Sequence, residues 1–144
     1  MYSELFYYPG VASCFFTKEG KEVSEFFSAE DQWATSPRSW RSGKPDIYTI
    51  DAIEDTNVWC MQVNDFKYLF QNFPEMDRYG RLSMGRMYGY MLDRVASLRF
   101  TSAKEKYRLF IKAFPNVHHR IPLGMIASYL GTTQETLSRI RSGQ

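Results

Sequence analysis

The sequence predicts an α+β protein in which a partial antiparallel β-roll is followed by a long helix and a C-terminal helix-turn-helix. Three observations support this: short apolar runs separated by turn residues, a change to helical periodicity in the middle, and two short amphipathic helices flanking Gly131. With 144 residues, 44% of them hydrophobic, the chain can bury a substantial core. The expected division is a roll over residues 1–73, the long helix over 74–99 and the helix-turn-helix domain over 100–144.

The first half of the chain is expected to form short strands. In "VASCFFTKEGKEVSEFF", two runs rich in Val, Phe and Ser flank Gly20 and predict a hairpin. In "DIYTIDAIEDTNVWCMQV", an alternating run and a polar "EDTN" turn predict two further strands. The intervening "SAEDQWATSPRSWRSGKPD" contains Pro37, Gly43, Pro45 and two Trp, and is predicted to be a long surface loop. This strand spacing is typical of a roll or barrel.

Composition argues against several classes of protein. No apolar run approaches the roughly 20 residues of a membrane span, and "MYSELFYYPG" lacks the features of a signal peptide, so we expect a cytoplasmic protein with no membrane partner. Cys14 and Cys60 lack metal-ligand spacing and are predicted to be free buried thiols, with no metal and no cofactor. No nucleophile and base are paired, and the carboxylates of residues 46–55 are interpreted as turn and surface groups, so an enzyme is not predicted.

Charge is distributed unevenly along the chain. The net charge is +2, but residues 99–144 carry eight Lys or Arg against two Glu, which leaves residues 1–98 with a net −4. A basic C-terminal third favours a polyanionic partner, although the solvated face of a helical domain can carry the same excess.

Residues 74–99 are predicted to form a helix that is long for a globular protein. Gly80, Gly85 and Gly89 each weaken such a helix by up to about 1 kcal/mol relative to Ala, so packing must compensate. The helix either packs on its own sheet with Met as gap filler, or pairs with its twin in a homodimer. Its length and the shared face of Gly85 and Gly89 favour the homodimer. The predicted dimer interface consists of Leu82, Gly85, Gly89, Leu92 and Val95.

A further helix is predicted from "TSAKEKY", in which Ser102 and Glu105 form a capping box. Its apolar face ends before Pro115. His118 and His119 follow in the connector, and on a helix adjacent residues point about 100° apart, a poor arrangement for jointly holding a metal. We interpret them as loop residues that contact the backbone.

The segment "IASYLGTTQETLSRIR" predicts a helix-turn-helix. Pro122 suits the first turn of a helix that runs to Leu130, and Gly131 supplies the turn. Thr132 or Thr133 then caps the next helix.

The second of these helices has two distinct sides. Its inner side carries Thr133, Thr136, Leu137 and Ile140, and its outer side carries Gln134, Glu135, Ser138 and Arg139. The polar outer side and the small Ala127, which allows a close helix crossing, favour DNA binding over a hairpin whose polar side meets only water. The predicted DNA-binding residues are Thr132, Thr133, Gln134, Glu135, Ser138, Arg139 and Arg141.

With these motifs, the chain resembles the Crp/Fnr family of transcription regulators. The resemblance runs from "GVASCFFTKEGKEVSEFF" to "IPLGMIASYLGTTQETLSRIR", and its most specific motif is "ETLSR", which is similar to the Glu-x-x-Ser-Arg recognition signature of the Fnr branch at Glu135, Ser138 and Arg139. It implies a cyclic-nucleotide-binding-like roll, a dimerisation helix and a winged-helix-type DNA-binding domain. The implied partners are palindromic double-stranded DNA with TTGA-like halves and RNA polymerase. Because the family's roll begins with additional strands, the roll is expected to be incomplete at its N-terminus.

One departure from the family concerns the effector. Cyclic-AMP-binding members hold the phosphate with a Gly-Glu pair and an Arg, whereas here the pair is absent and, aligned on Ala52, the Arg position falls at or next to Asp46. A carboxylate there would repel phosphate, so cyclic AMP is not expected to bind. Arg38, Arg41 and Lys44 could hold an anion differently or be solvated loop charges. The alternative function is a protein-interaction or ligand-sensing module that kept the fold without productive DNA binding.

Overall fold

The computed structural model describes residues 3–7, as backbone, and residues 10–143, and the fold over these residues is the predicted α+β class. The interpretation of the N-terminus as an incomplete roll rests partly on residues 1, 2, 8 and 9, which lie outside the described residues. The strands are β1 (Ser3–Tyr7), β2 (Ala12–Lys18), β3 (Lys21–Ser28), β4 (Trp33–Ala34), β5 (Thr49–Ala52) and β6 (Val58–Gln62). The helices are α1 (Pro37–Ser42), α2 (Val63–Asn72), α3 (Pro74–Phe100), α4 (Ala103–Ala113), α5 (Leu123–Leu130) and α6 (Gln134–Ser142).

The strands form two three-stranded antiparallel sheets, ordered β4-β1-β6 and β3-β2-β5. The β2–β3 hairpin turns at Glu19 and Gly20, whose φ angles of 52° and 75° lie in the left-handed region. Glycine adopts this conformation without steric cost, which is why Gly20 marked the hairpin in the sequence. The predicted hairpin is therefore confirmed.

The segment 28–46, predicted to be a long surface loop, instead contains β4 and α1. Trp33 and Trp40 pack edge-on against Phe66 of α2, with ring centroids 5.7 and 5.6 Å apart. Burying large aromatic side chains lowers the free energy of the folded chain, and these contacts hold the segment against α2. Gly43, left-handed at φ 67°, then ends α1.

Asp46, the acidic residue at the end of this segment, is bound within the chain. Its carboxylate accepts hydrogen bonds from the Ser36 hydroxyl and, at 2.7 Å, from the backbone N–H of Ile47. It also pairs with the Arg38 guanidinium at 3.2 Å, and that guanidinium lies over the Tyr48 ring, 4.6 Å from its centroid. Arg38 is therefore not a freely solvated loop charge, because its anion is Asp46 of its own chain.

The two cysteines are free, but only one is buried. Burial, with smaller contributions from Asp46 and Glu25, raises the pKa of the Cys14 thiol to about 12, so this thiol stays protonated. The predicted burial of Cys60 is wrong, because β6 is the edge strand of its sheet and leaves most of its side chains exposed. Among the side chains of residues 10–143, no His, Cys, Asp and Glu group to hold a metal. The helices described include none that combines the length and hydrophobicity of a transmembrane segment.

The main core lies where the β2–β3 hairpin meets the C-terminal helices. The Phe27 ring of β3 is 6.0 Å from Phe110 and 6.2 Å from Phe114 of α4, and 5.4 Å from Tyr129 of α5, measured between centroids. The sheets and the C-terminal helices thus share one core across the predicted boundary at residue 100, and the division into domains stays a prediction.

The long helix predicted over residues 74–99 is α3, whose 27 residues begin with Pro74 at the first helical position. None of these residues is buried. Gly80 allows α2 to approach closely, because a Cβ at this position would collide with the Phe70 ring. The chain itself thus covers α3 only in part.

Candidate nucleic-acid interface

The turn between α5 and α6 is built on Gly131, which has a φ of 64°. Its backbone N–H donates to the Ser128 carbonyl at 3.1 Å, and that of Thr132 donates to the Ala127 carbonyl at 3.0 Å. These bonds satisfy the free carbonyls of the last turn of α5, and the left-handed conformation favours glycine. The turn predicted at Gly131 is confirmed, and we call the two helices and this turn the α5–α6 hairpin.

Helix α6 is capped by Thr133. The Thr133 hydroxyl accepts a hydrogen bond from the backbone N–H of Thr136 at 3.2 Å, and Gln134 is the first helical residue. Of the two predicted caps, Thr133 is right and Thr132 is wrong. Glu135 occupies the second helical position, so it does not form a capping box with Thr133, which would require an acidic residue at the third.

Glu135 is held as a carboxylate at the N-terminus of α6. Its pKa lies below the ordinary range because it accepts hydrogen bonds from its own backbone N–H and from the Thr133 side chain, with a smaller contribution from the charge of Arg139. The partial positive charge of a helix N-terminus favours the same ionised form. At neutral pH, Glu135 therefore offers an exposed acceptor for hydrogen bonds.

The inner side of α6 anchors the hairpin. Leu137 is fully buried, as is Ala127 on the facing side of α5, and Thr136 and Ile140 are half-buried. Thr133, expected on the inner side, is exposed because it precedes the first turn of the helix. The crossing is close elsewhere too, because a Cβ on Gly124 would lie 3.1 Å from Oε1 of Gln134.

The predicted DNA-binding residues lie together at the hairpin. Those exposed to solvent are Thr133, Gln134, Glu135, Ser138, Arg139 and Arg141, while Thr132 in the turn is half-buried. Within the part of the chain that the structure describes, the side chains of Ser138, Arg139 and Arg141 make no hydrogen bond or ion pair. Donors and acceptors of both charges are therefore available to an external partner.

Sequence reasoning missed the residues that hold the hairpin against the sheet. The Ser128 hydroxyl accepts a hydrogen bond from the backbone N–H of Ser24 on β3 at 3.1 Å. The Arg94 guanidinium of α3 donates to the Tyr129 carbonyl at 3.1 Å and lies 3.9 Å from the centroid of the Tyr129 ring. It also pairs with the Glu25 carboxylate at 3.7 Å. These partners are 35 to 104 positions apart, so no local spacing in the sequence indicates them.

The predicted dimer residues lie on the outward face of α3. Leu82, Leu92 and Val95 keep 54, 53 and 49% of their surface exposed. At Gly85 and Gly89, an added Cβ would meet no other heavy atom of the described chain within 4 Å. Exposed apolar side chains of α3 outside the predicted set are Tyr79, Met84, Met87, Tyr88, Tyr90, Met91, Leu98 and Phe100.

The combination of a β-roll, a long helix and a helical C-terminal unit is the Crp/Fnr-like fold, and solved structures of Crp/Fnr regulators share it with this chain. FixK2 from Bradyrhizobium japonicum superimposes with a TM-score of 0.83 at 17% identity, over 99% of this chain and 74% of its own. A Eubacterium rectale protein assigned to the crp/fnr family of transcriptional regulators gives 0.72 at 16% identity, over 99% and 68%. The c-di-GMP responsive global regulator CLP of Xanthomonas campestris gives 0.69 at 11% identity, over 99% and 76%.

These comparisons rest on structure alone. No protein-family model and no curated protein matches the sequence. Identities of 11 to 17% establish a common fold and leave the function to the chemistry of this chain's own residues.

Proposed function

We propose that this protein is a sequence-specific DNA-binding transcription regulator of the Crp/Fnr type that acts as a homodimer. The observation that carries the proposal is the outer side of α6, where exposed polar side chains of both charges are held on a helix anchored by the buried Leu137. A helix-turn-helix presents side chains to the major groove on a short helix that is anchored on one side and polar on the other.

Three side chains of this outer side have a proposed role. The guanidinium of Arg139 bonds guanine O6 and N7 together, the carboxylate of Glu135 accepts from a cytosine amino group, and Ser138 bonds a base edge or a phosphate. Such a set suits a half-site with a central G·C pair. The resemblance to the Fnr branch adds TTGA-like halves in a palindrome, one helical turn apart.

The proposed dimer forms through the outward face of α3. A long helix with three glycines and no buried residue gains little stability from its own chain, whereas a second copy would cover the apolar face around Gly85 and Gly89. A two-fold dimer of this kind requires a palindromic site. RNA polymerase is the further partner that the resemblance suggests.

The proposed effector is not cyclic AMP. The position that corresponds to the phosphate-binding Arg of cyclic-AMP-binding members falls at or next to Asp46, whose carboxylate already accepts from the Ser36 hydroxyl and pairs with the Arg38 guanidinium. An incoming phosphate would have to displace this carboxylate against charge repulsion. Calorimetric titration of the protein with cyclic AMP is therefore expected to show no binding at micromolar concentrations, and binding in that range would contradict the proposal.

The decisive experiment is selection from a random duplex pool, followed by binding measurements on the selected site and its single-base variants at two salt concentrations. Arg139→Ala is expected to cost roughly 1–3 kcal/mol on the selected site and to flatten discrimination at one base pair. Arg141→Ala serves as the matched control, because loss of a phosphate contact weakens all sequences alike and reduces the salt slope. If Arg139→Ala lowers every affinity by the same factor, the assigned reading face is wrong.

A selection that enriches no sequence would instead favour the alternative, a protein-interaction or ligand-sensing module. The exposed Ile47 and Trp59 on the sheet side of the molecule are apolar surface that such a module could use.

A further inference from the structure

Arg120 lies in the connector between α4 and α5 and binds two loops that join the strands of the two sheets. Its guanidinium lies 2.7 Å from a carboxylate oxygen of Glu30, and its Nε donates to Glu54 at 3.3 Å. Glu30 lies between β3 and β4, and Glu54 lies between β5 and β6. Glu30 also accepts a hydrogen bond from the backbone N–H of Gly10 at 3.2 Å, so one cation connects the helices to three separate segments of the roll.

The geometry of this contact is directional. A planar guanidinium that bonds two carboxylates fixes both distance and angle, which a Lys ammonium does not. The three side chains of Arg120, Glu30 and Glu54 keep only 25, 32 and 34% of their surface exposed. By contrast, the Arg81–Asp77 and Arg108–Glu105 pairs each lie within one helix and are more exposed, so they fix no relation between elements.

The apolar contacts between the sheets and the C-terminal helices constrain orientation less. The largest lies between Phe27 and the aromatic rings of α4 and α5, and apolar burial has no preferred direction. The covalent connection from α3 to α4 is only Thr101 and Ser102. Directional polar contacts therefore set the angle of the C-terminal helices. Arg120 and the Ser24–Ser128 bond hold these helices to the strands, and Arg94 of α3 links α3 to Tyr129 of α5 and to Glu25 of β3.

That angle has a consequence for DNA recognition. Helix α6 is packed on α5 and α4 through the buried Leu137, so the three helices form one packed body, which also rests on β3 through α5. In a two-fold dimer, the orientation of this body relative to α3 determines the separation of the two recognition helices, and that separation determines the half-site spacing. We propose that Arg120 is a positioning residue that restricts the dimer to one half-site spacing, an inference that rests on the proposed function.

The test compares Arg120→Ala with Arg108→Ala as a matched control, because each removes one Arg that is paired with Glu and only Arg120 reaches the roll. The duplexes carry the selected half-sites at the preferred spacing, or with one or two base pairs added or removed, and one duplex carries a single half-site. Arg120→Ala is expected to reduce discrimination between spacings by about three- to tenfold. Arg108→Ala is expected to leave this discrimination unchanged, and the two variants should bind the single half-site equally.

A second variant distinguishes a positioning role of Arg120 from a purely electrostatic role. Glu30→Gln combined with Glu54→Gln releases Arg120 from the acidic side and makes the protein more positive, which favours DNA binding in general. Loss of spacing discrimination in this variant, without loss of overall affinity, is expected if Arg120 acts by positioning. A purely electrostatic role would leave the discrimination intact.

Each outcome decides the proposal. Unchanged spacing discrimination in a folded Arg120→Ala dimer, with helix content and mass verified by circular dichroism and light scattering, overturns the positioning role and leaves the proposed function standing. If Arg120→Ala does not fold, the Glu30 and Glu54 double variant decides by the same criterion. Failure of the wild-type protein to enrich any sequence overturns the proposed function, and the positioning role falls with it.

Discussion

Helices α5 and α3 obtain their stability in different ways. Helix α5 is eight residues long and buries half of them, namely Ile126, Ala127, Tyr129 and Leu130. Helix α3 is more than three times as long and buries none. Most helical stability in proteins comes from packing of an apolar face, so the contacts of its own chain account for α5 and not for α3. The difference supports the proposed pairing of α3 with a second copy of the chain.

The largest expected effect concerns Leu137 of α6, which is buried beside α5. Leu137→Ala should lower the free energy of unfolding by about 2–5 kcal/mol, because it opens a cavity where α6 meets α5. Urea denaturation followed by circular dichroism measures this loss. The loss should not depend on protein concentration, because Leu137 packs within its own chain.

The matched control is Leu92→Ala, the same truncation at a side chain of α3 that is 53% exposed. Its cost should grow with protein concentration, since a second copy covers Leu92 only in the dimer. Equal, concentration-independent losses in the two variants would mean that both helices are stabilised within one chain.

The next effect concerns the glycine face of α3. Replacing Gly85 and Gly89 with Leu should raise the dimer Kd at least about tenfold, because the added side chains push the paired helices apart. Within one chain, neither position meets a neighbour among the described residues, and Leu has the higher helix propensity, so the helix itself should persist. Light scattering measures the dimer, and circular dichroism verifies the helix. An unchanged dimer would show that the interface lies elsewhere on α3.

Local rules made much of the fold predictable. Gly20 and Gly131 occupy left-handed positions that favour glycine, so both turns could be located from the sequence. The two sides of α6 follow from the helical repeat. The cap was harder, because Thr132 and Thr133 are adjacent and equally suited, and only the observed hydrogen bond to Thr136 distinguishes them.

Contacts between distant segments account for what sequence reasoning missed. The Arg120 bond to Glu54 spans 66 positions and the Ser24 bond to Ser128 spans 104, and periodicity carries no information at such separations. Pro37, Gly43 and Pro45 make the segment 28–46 resemble a loop in the sequence. Its organisation depends on Phe66, which lies outside the segment.

The smallest expected effect concerns the contact between Arg120, in the connector before α5, and Glu30, in the loop between β3 and β4. The hydrogen bond from Arg120 holds the pKa of Glu30 below its ordinary value of 4.5. A carboxyl group whose pKa is lowered by folding contributes stability above its unfolded pKa and loses that contribution as the pH falls through the folded pKa. Because Glu30 is partly exposed and screened by solvent, we expect this contribution to be about 0.2–1 kcal/mol at pH 7.

Urea midpoints of the wild type and Arg120→Ala should therefore differ at pH 7 and converge as the pH falls below about 4.5. A background in which Glu30→Gln is combined with Glu54→Gln removes both carboxylates that face Arg120, so adding Arg120→Ala there should give a difference with no such convergence. A difference that stays constant down to pH 3 would mean that Arg120 stabilises the fold through contacts other than Glu30.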